Sequence, residues 1–178
     1  MEHWDSRAPQ TGNQAPDLQL LDEAGKPTQL SLLARGEPLL VLCFAGTSDE
    51  KGRALLRDYR DQTMLLQLAG VKLMGVAHAE PAAVSYLRME MGLGFPMFAD
   101  PDGTRLGQIG MDERNGLFLL DHGLHVRQRA LAGRADAHTL LQFIKRGGAR
   151  RPKVKAGERI AHFFKAIQAA FNPRKMVR

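Results

Sequence analysis

Few residues in this sequence are of a type and spacing suited to chemistry. Cys43 is the one cysteine, so a single chain can form no disulfide, no CxxC redox pair and no cysteine-rich zinc site. Thiol chemistry would have to use that sulfur alone, reachable from solvent and recycled through an intermolecular disulfide. Its neighbours argue otherwise: it lies within Leu39-Leu40-Val41-Leu42-Cys43-Phe44, an apolar run in which burial raises a thiol's pKa and blocks access. Gly46-Thr47-Ser48 could cradle an anion with backbone N–H groups, but Asp49 and Glu50 follow at once and would repel it, and the lysine of a phosphate-binding loop is missing. Asp121-His122-Gly123-Leu124-His125 offers carboxylate and imidazole ligands, yet Asp and Gly also suit an ordinary solvated turn. Asp100-Pro101-Asp102-Gly103 opens like a calcium loop, but no glutamate stands at the twelfth position, so it too reads as a turn. No metal or cofactor is expected.

The other candidate is a surface rather than a reaction centre. Ile160, Phe163, Phe164, Ile167 and Phe171 recur at i, i+3, i+4, i+7 and i+11, which puts them on one face of a helix over 158–172. Lys153, Lys155 and Arg159 lead into it. Residues 145–178 hold 11 Lys and Arg against 1 acidic residue, whereas residues 1–144 hold 14 against 18. A basic amphipathic helix suits an anionic membrane surface or a groove on a protein partner, and it can also fold back on its own domain. Nucleic acid is a weaker candidate, because no recognised binding motif accompanies the charge.

The elements that must position these residues follow from periodicity. With 178 residues, 44% of them hydrophobic, the chain can bury one sizeable core. Residues 1–14 read as a polar lead-in without an apolar signal or membrane segment, which predicts a cytoplasmic protein, at most peripheral to a membrane. Residues 17–22 alternate as a short strand. The run 39–44 predicts a central strand, 51–68 a helix with Gly70 at its C-cap, and 71–77 a second buried strand reached by a parallel crossover. A helix is expected over 81–91, a hairpin from 117–120 and 126–129, and a closing helix over 137–145. The domain so defined spans 15–146; 147–157 reads as a basic linker and 173–178 as a tail.

In this order the elements resemble the peroxiredoxin family (alkyl hydroperoxide reductase and thiol-specific antioxidant) from about residue 12 to residue 146. The phrases carrying the resemblance are Gly12-Asn13-Gln14-Ala15-Pro16-Asp17, Leu39 to Phe44, Gly70-Val71-Lys72-Leu73-Met74-Gly75-Val76, Gly94-Phe95-Pro96-Met97-Phe98-Ala99-Asp100 and Leu117-Phe118-Leu119-Leu120-Asp121-His122-Gly123. The resemblance implies an α/β thioredoxin-like fold with a central mixed sheet flanked by helices. It also implies a peroxidatic cysteine at the start of the helix after the first core strand, which here falls near Gly52. Thr47 and Ser48 match the family's upstream hydroxyl residue, but its proline and the cysteine itself are missing. An active-site arginine usual before the final hairpin is approximated by Arg114, one residue out of place. A hydroxyl cannot replace the thiolate that attacks a peroxide.

The expectation is therefore a redox-inactive relative acting as a binding or assembly module through its C-terminal helix, with a homodimer left open. The alternative implied by the family is an antioxidant oxidoreductase using Cys43 with an external thiol. A third reading, unrelated ligand chemistry in the old active-site pocket, is one that fold cannot exclude.

Overall fold

The computed structural model describes residues 4–149 with the exception of Ala135. The C-terminal helix read from sequence, with Lys153, Lys155, Arg159, Ile160, Phe163, Phe164, Ile167 and Phe171, lies outside the described residues. The elements in order are β1 (Gln19–Leu21), β2 (Pro27–Gln29), α1 (Leu30–Ala34), β3 (Leu39–Phe44), α2 (Glu50–Leu68), β4 (Lys72–Ala77), α3 (Pro81–Met91), β5 (Met97–Ala99), α4 (Thr104–Gln108), β6 (Gly116–Leu120), β7 (Val126–Leu131) and α5 (Ala137–Lys145).

Among the described residues the strands form one mixed sheet in the order β2-β1-β5-β4-β3-β6-β7. All six residues of β3 are buried, because it pairs with β4 in parallel on one side and with β6 antiparallel on the other, and helices cover both faces. This is the physical content of its unbroken apolar run. Side chains alternate across the strand. Leu40, Leu42 and Phe44 pack with α2, α3 and α5 residues such as Leu56, Leu87 and Leu141. Leu39, Val41 and Cys43 pack on the other face with Leu30 and Ala34 of α1 and Leu106 of α4.

The crossover from β3 through α2 to β4 takes the expected course. The chain leaves α2 through Gly70, whose φ of +75° is a left-handed turn that glycine makes without strain. The elements not foreseen are β2, α1, β5 and α4, all of three to five residues. That is too short for a periodic pattern to declare itself.

Both ends of the described chain are docked. Near the start, Gly12 donates to the Val126 carbonyl, Val126 to Asn13 and Ala15 to Leu124, at 2.7, 2.9 and 2.8 Å. Trp4 packs on Phe118 with ring centroids 5.7 Å apart, and the Arg129 guanidinium lies over the Trp4 ring at 4.4 Å. The lead-in thus pairs with the start of β7 and packs Trp4 on the face of the β6–β7 hairpin. At the other end, Gly148 donates to Phe143 and Ala149 is 4% exposed, so the first residues read as linker belong to the core's margin.

Candidate functional site

At the carboxyl end of β3 the chain turns through residues 45–49 into α2. Asp49 is the N-cap, in extended backbone geometry, and its Oδ2 accepts the Gly52 N–H at 2.8 Å. A carboxylate here satisfies a donor that a helix start leaves open and faces the positive end of the helix dipole. Asn115, just before β6, completes the arrangement. Its side-chain carbonyl accepts the Ala45 N–H at 2.9 Å, and its Nδ2 donates to the same Asp49 carboxylate. One amide therefore ties the loop leaving β3 to the cap of α2.

Gly52, the family's peroxidatic position by resemblance, is buried at the third residue of α2. A Cβ there would stand 3.1 Å from Phe44 Cδ1 and 3.3 Å from Asn115 Oδ1. The place of a nucleophile is closely bordered by an aromatic edge and an amide. The helix start that follows Gly46-Thr47-Ser48, where an anion cradle was considered, is capped by the protein's own Asp49. Beside it, Arg53 donates to the Thr47 carbonyl at 3.3 Å and pairs with Glu90 of α3. Arg114 lies near enough to Asp5 for its charge to help hold that carboxyl below the usual range, a shift made foremost by hydrogen bonds from Arg7.

Cys43 lies on the far side of the sheet. It is fully buried among the residues of the α1 and α4 face, and burial pushes its thiol up from 9.0 to about 12. Phe44, its neighbour in β3, points to the face that carries Gly52. The one sulfur of the thiol type and the helix start that could activate it are separated by the sheet itself.

The turn at Asp121 differs from the solvated turn expected. Asp121 is 0% exposed; its Oδ1 accepts the N–H groups of Gly123 and His125 at 2.9 and 3.0 Å and faces His125 Nδ1 at 3.2 Å. Burial pushes this carboxyl up, but the donors together outweigh burial and hold it below its ordinary value. The carboxylate is an internal template for the β6–β7 connection. Asp100 is likewise buried, with its Oδ2 accepting Leu106 N–H of α4 at 2.7 Å. Among the described residues no group of three or more His, Cys, Asp or Glu is placed to hold a metal, and no helix is long and apolar enough to cross a membrane.

Sequence reasoning missed Asp49 as a cap and Asn115 altogether. An Asp directly before a helical run is a cap signal and could have been read. Asn115 lies 66 residues from Asp49 and carries no local signal.

A parallel β3-α2-β4 unit joined to an antiparallel β6–β7 hairpin, with a helix N-terminus at the carboxyl end of β3, defines a thioredoxin-like domain of the peroxiredoxin type. The sequence profile of the AhpC/TSA family matches residues 11–131, and the chain belongs to that family. Among curated proteins none matches the sequence. Among solved structures, the peroxidoxin BcpB of Mycobacterium tuberculosis is similar at 19% identity and a TM-score of 0.71, covering 81% of this chain and 99% of that one. Peroxiredoxin Q of Xanthomonas campestris is similar at 20% identity and a TM-score of 0.64, covering 74% and 91%. A putative protein disulfide isomerase of Bacteroides thetaiotaomicron is similar at 19% identity and 0.66, covering 77% and 89%. At these identities the likeness is one of fold.

Proposed function

We propose that this chain is a peroxiredoxin-fold binding or assembly module without thiol peroxidase activity. One observation carries the reading: the single thiol is buried on the sheet face opposite the α2 N-terminus, while the helix start is capped by its own carboxylate. A thiolate at Gly52 would gain from the helix dipole; a carboxylate already takes that place. Contact with a partner falls to the basic C-terminal segment, with Lys153, Lys155 and Arg159 beside Ile160, Phe163, Phe164, Ile167 and Phe171. As a helix, this segment would present the five apolar side chains to a protein groove or an anionic membrane. Each contributes roughly 1.5–3 kcal/mol on burial before ordering costs, and each basic residue adds about 1 kcal/mol near anionic lipid, less in salt. The setting proposed is the cytoplasm, with the membrane contact peripheral.

Peroxide consumption with thioredoxin or dithiothreitol is expected to match the blank, and flotation with anionic liposomes is expected to require residues 150–178 and to weaken in Phe163→Asp/Phe164→Asp. If the chain floats equally well after truncation following Ala149, the contact assignment fails. If nothing floats, affinity capture with and without residues 150–178 tests the protein-groove form of the same contact. Family membership favours a second reading, an antioxidant oxidoreductase using Cys43 with an external thiol. Peroxide turnover lost in Cys43→Ser with the fold intact would establish that reading in place of the first.

A further inference from the structure

Far from Gly52, the last turns of α2 carry an apolar patch in which Met64 is 69%, Leu65 40% and Leu68 78% exposed. These are three of the six large apolar side chains that the described residues leave exposed. The nearby charges on the helix are already matched, Arg57 with Glu50 and Arg60 with Asp61. Gln67, between Leu65 and Leu68 in the chain, also stands at the mouth of a pocket of about 340 Å³ walled by Leu33, Val71, Phe95 and Phe98. Apolar surface gathered in one place, unlike single exposed side chains, marks a contact.

What covers the patch follows from where the chain goes. β6 runs antiparallel to β3, and β7 antiparallel to β6. α5 returns from the end of β7 toward its start, where Arg127 donates to the Gly148 carbonyl, so it runs in the same direction as α2. The two helices lie side by side, because Ala137, the first residue of α5, donates to Asp58 of α2 at 2.9 Å. Ile144 and Leu65 each lie seven residues further on and come level with one another. Ala149 packs in the same core cluster as Leu66, with Ala69 at its margin. The described chain thus ends beside the patch. Ten residues, 150–159, then lead to the stripe of Ile160, Phe163, Phe164, Ile167 and Phe171. Extended, they reach at most about 36 Å, several times the roughly 8–10 Å between packed helices. Residues 150–178 hold 9 Lys and Arg against 1 acidic residue, and residues 1–144 hold 14 against 18, so the segment is drawn toward the domain, less so in salt.

We propose that this end of α2 is the resting seat of the chain's own C-terminal segment, with the apolar stripe lying against Met64, Leu65 and Leu68, so that the segment meets a partner only by leaving it. A short tether holds the stripe at an effective concentration of roughly millimolar, which favours it over a second copy of the chain. The role of the stripe as the partner contact rests on the proposed function; the seat itself does not. Short helices lose helicity on heating, so the segment leaves its seat below the thermal midpoint of the domain, and the seat is read in the cold.

Met64 on the patch and Met89, exposed on α3, give one reporter and one reference in protein labelled at the methionine methyl groups. Spectra at about 10 °C would compare the full chain with truncation following Ala149 and with Phe163→Asp/Phe164→Asp. The Met64 resonance should differ between the full chain and either variant, while that of Met89 stays still. In Leu65→Gln/Leu68→Gln, with circular dichroism unchanged, truncation should no longer move Met64. A Met64 resonance indifferent to truncation in the wild-type sequence overturns the proposal. So does a difference that grows with protein concentration, because the segment of a second copy would then be the occupant. Flotation on anionic vesicles separates the seat from the proposed function. With the seat filled about nine-tenths of the time, Leu65→Gln/Leu68→Gln should bind vesicles about tenfold more tightly than wild type, and equal binding by two proteins that both float overturns the proposal. If neither floats, the membrane contact fails, while a Met64 resonance moved by truncation still establishes the seat.

Discussion

At the scale of single residues, Cys43 and Gly52 divide between them what a thiol peroxidase needs in one place. Burial raises the Cys43 thiol from 9.0 to about 12, so the folded state keeps a proton that the unfolded chain gives up at lower pH. The stability that follows is fully present below pH 9 and declines as pH rises from about 9 toward 12. Against Cys43→Ala, wild type should lose relative stability across that window, a difference that cancels the similar response of Tyr59, whose hydroxyl burial also pushes up; denaturant midpoints at pH 8 and about pH 10 check it. Native Cys43 should also react with iodoacetamide only at the rate of unfolding. Placing the missing thiol in Gly52→Cys should not create a peroxidase. The new Cβ crowds Phe44 and Asn115, at a cost of about 1–3 kcal/mol, and the thiolate would form beside the Asp49 carboxylate. Its iodoacetamide reactivity should titrate at or above the ordinary thiol range of about 8.5, and a midpoint below about 7 would show that the helix start still activates sulfur.

Elements matter here through the way loops are tied. The turn from β3 into α2 is held by Asp49 and Asn115, which meet only because β6 lies beside β3 in the sheet. Asp49→Ala should cost about 1 kcal/mol through loss of the cap. Asn115→Ala removes the partner of both Ala45 N–H and Asp49, and a double-mutant cycle should return a coupling of about 0.5–3 kcal/mol. The check is urea unfolding of the four proteins with unchanged m-values. Additive losses would mean that loop and cap are stabilised independently.

For the molecule as a whole, the N-terminal segment is a structural part of the domain. Trp4 is the only tryptophan and packs against Phe118 of β6 and Arg129 of β7, so its fluorescence reports the docking of that segment on the face of the sheet. Its transition should coincide with the loss of helical circular dichroism, as for one cooperative unit. Trp4→Ala should lower stability by about 1–2 kcal/mol from the tilted ring and cation–π contacts. A fluorescence change well before the helices melt would show that the segment undocks alone. Truncation following Ala149 should leave the thermal midpoint of the domain in place, whereas a cut at Gly147 should lower it, because Ala149 is packed in the core and Arg127 donates to the Gly148 carbonyl at 3.3 Å.

The sequence by itself determined the elements with a strong local signature. The all-apolar 39–44 run, the long amphipathic helix ending at Gly70, the helix begun by Pro81 and the hairpin around Asp121 each carry their periodicity or turn chemistry in adjacent residues. The absence of a cysteine near Gly52 is also a fact of sequence alone. Three-residue β2 and β5 left no readable period, and a glycine interrupts the five residues of α4. Only the tertiary structure decided that Cys43 faces away from α2, because the face of a strand depends on which helices the sheet brings against it. The bond from Asn115 to Asp49 and the buried hydroxyl of Tyr59, which has no hydrogen-bond partner among the described residues, belong to the same class. Each arises where segments distant along the chain are brought together, and no local pattern of charge or hydrophobicity encodes such a meeting.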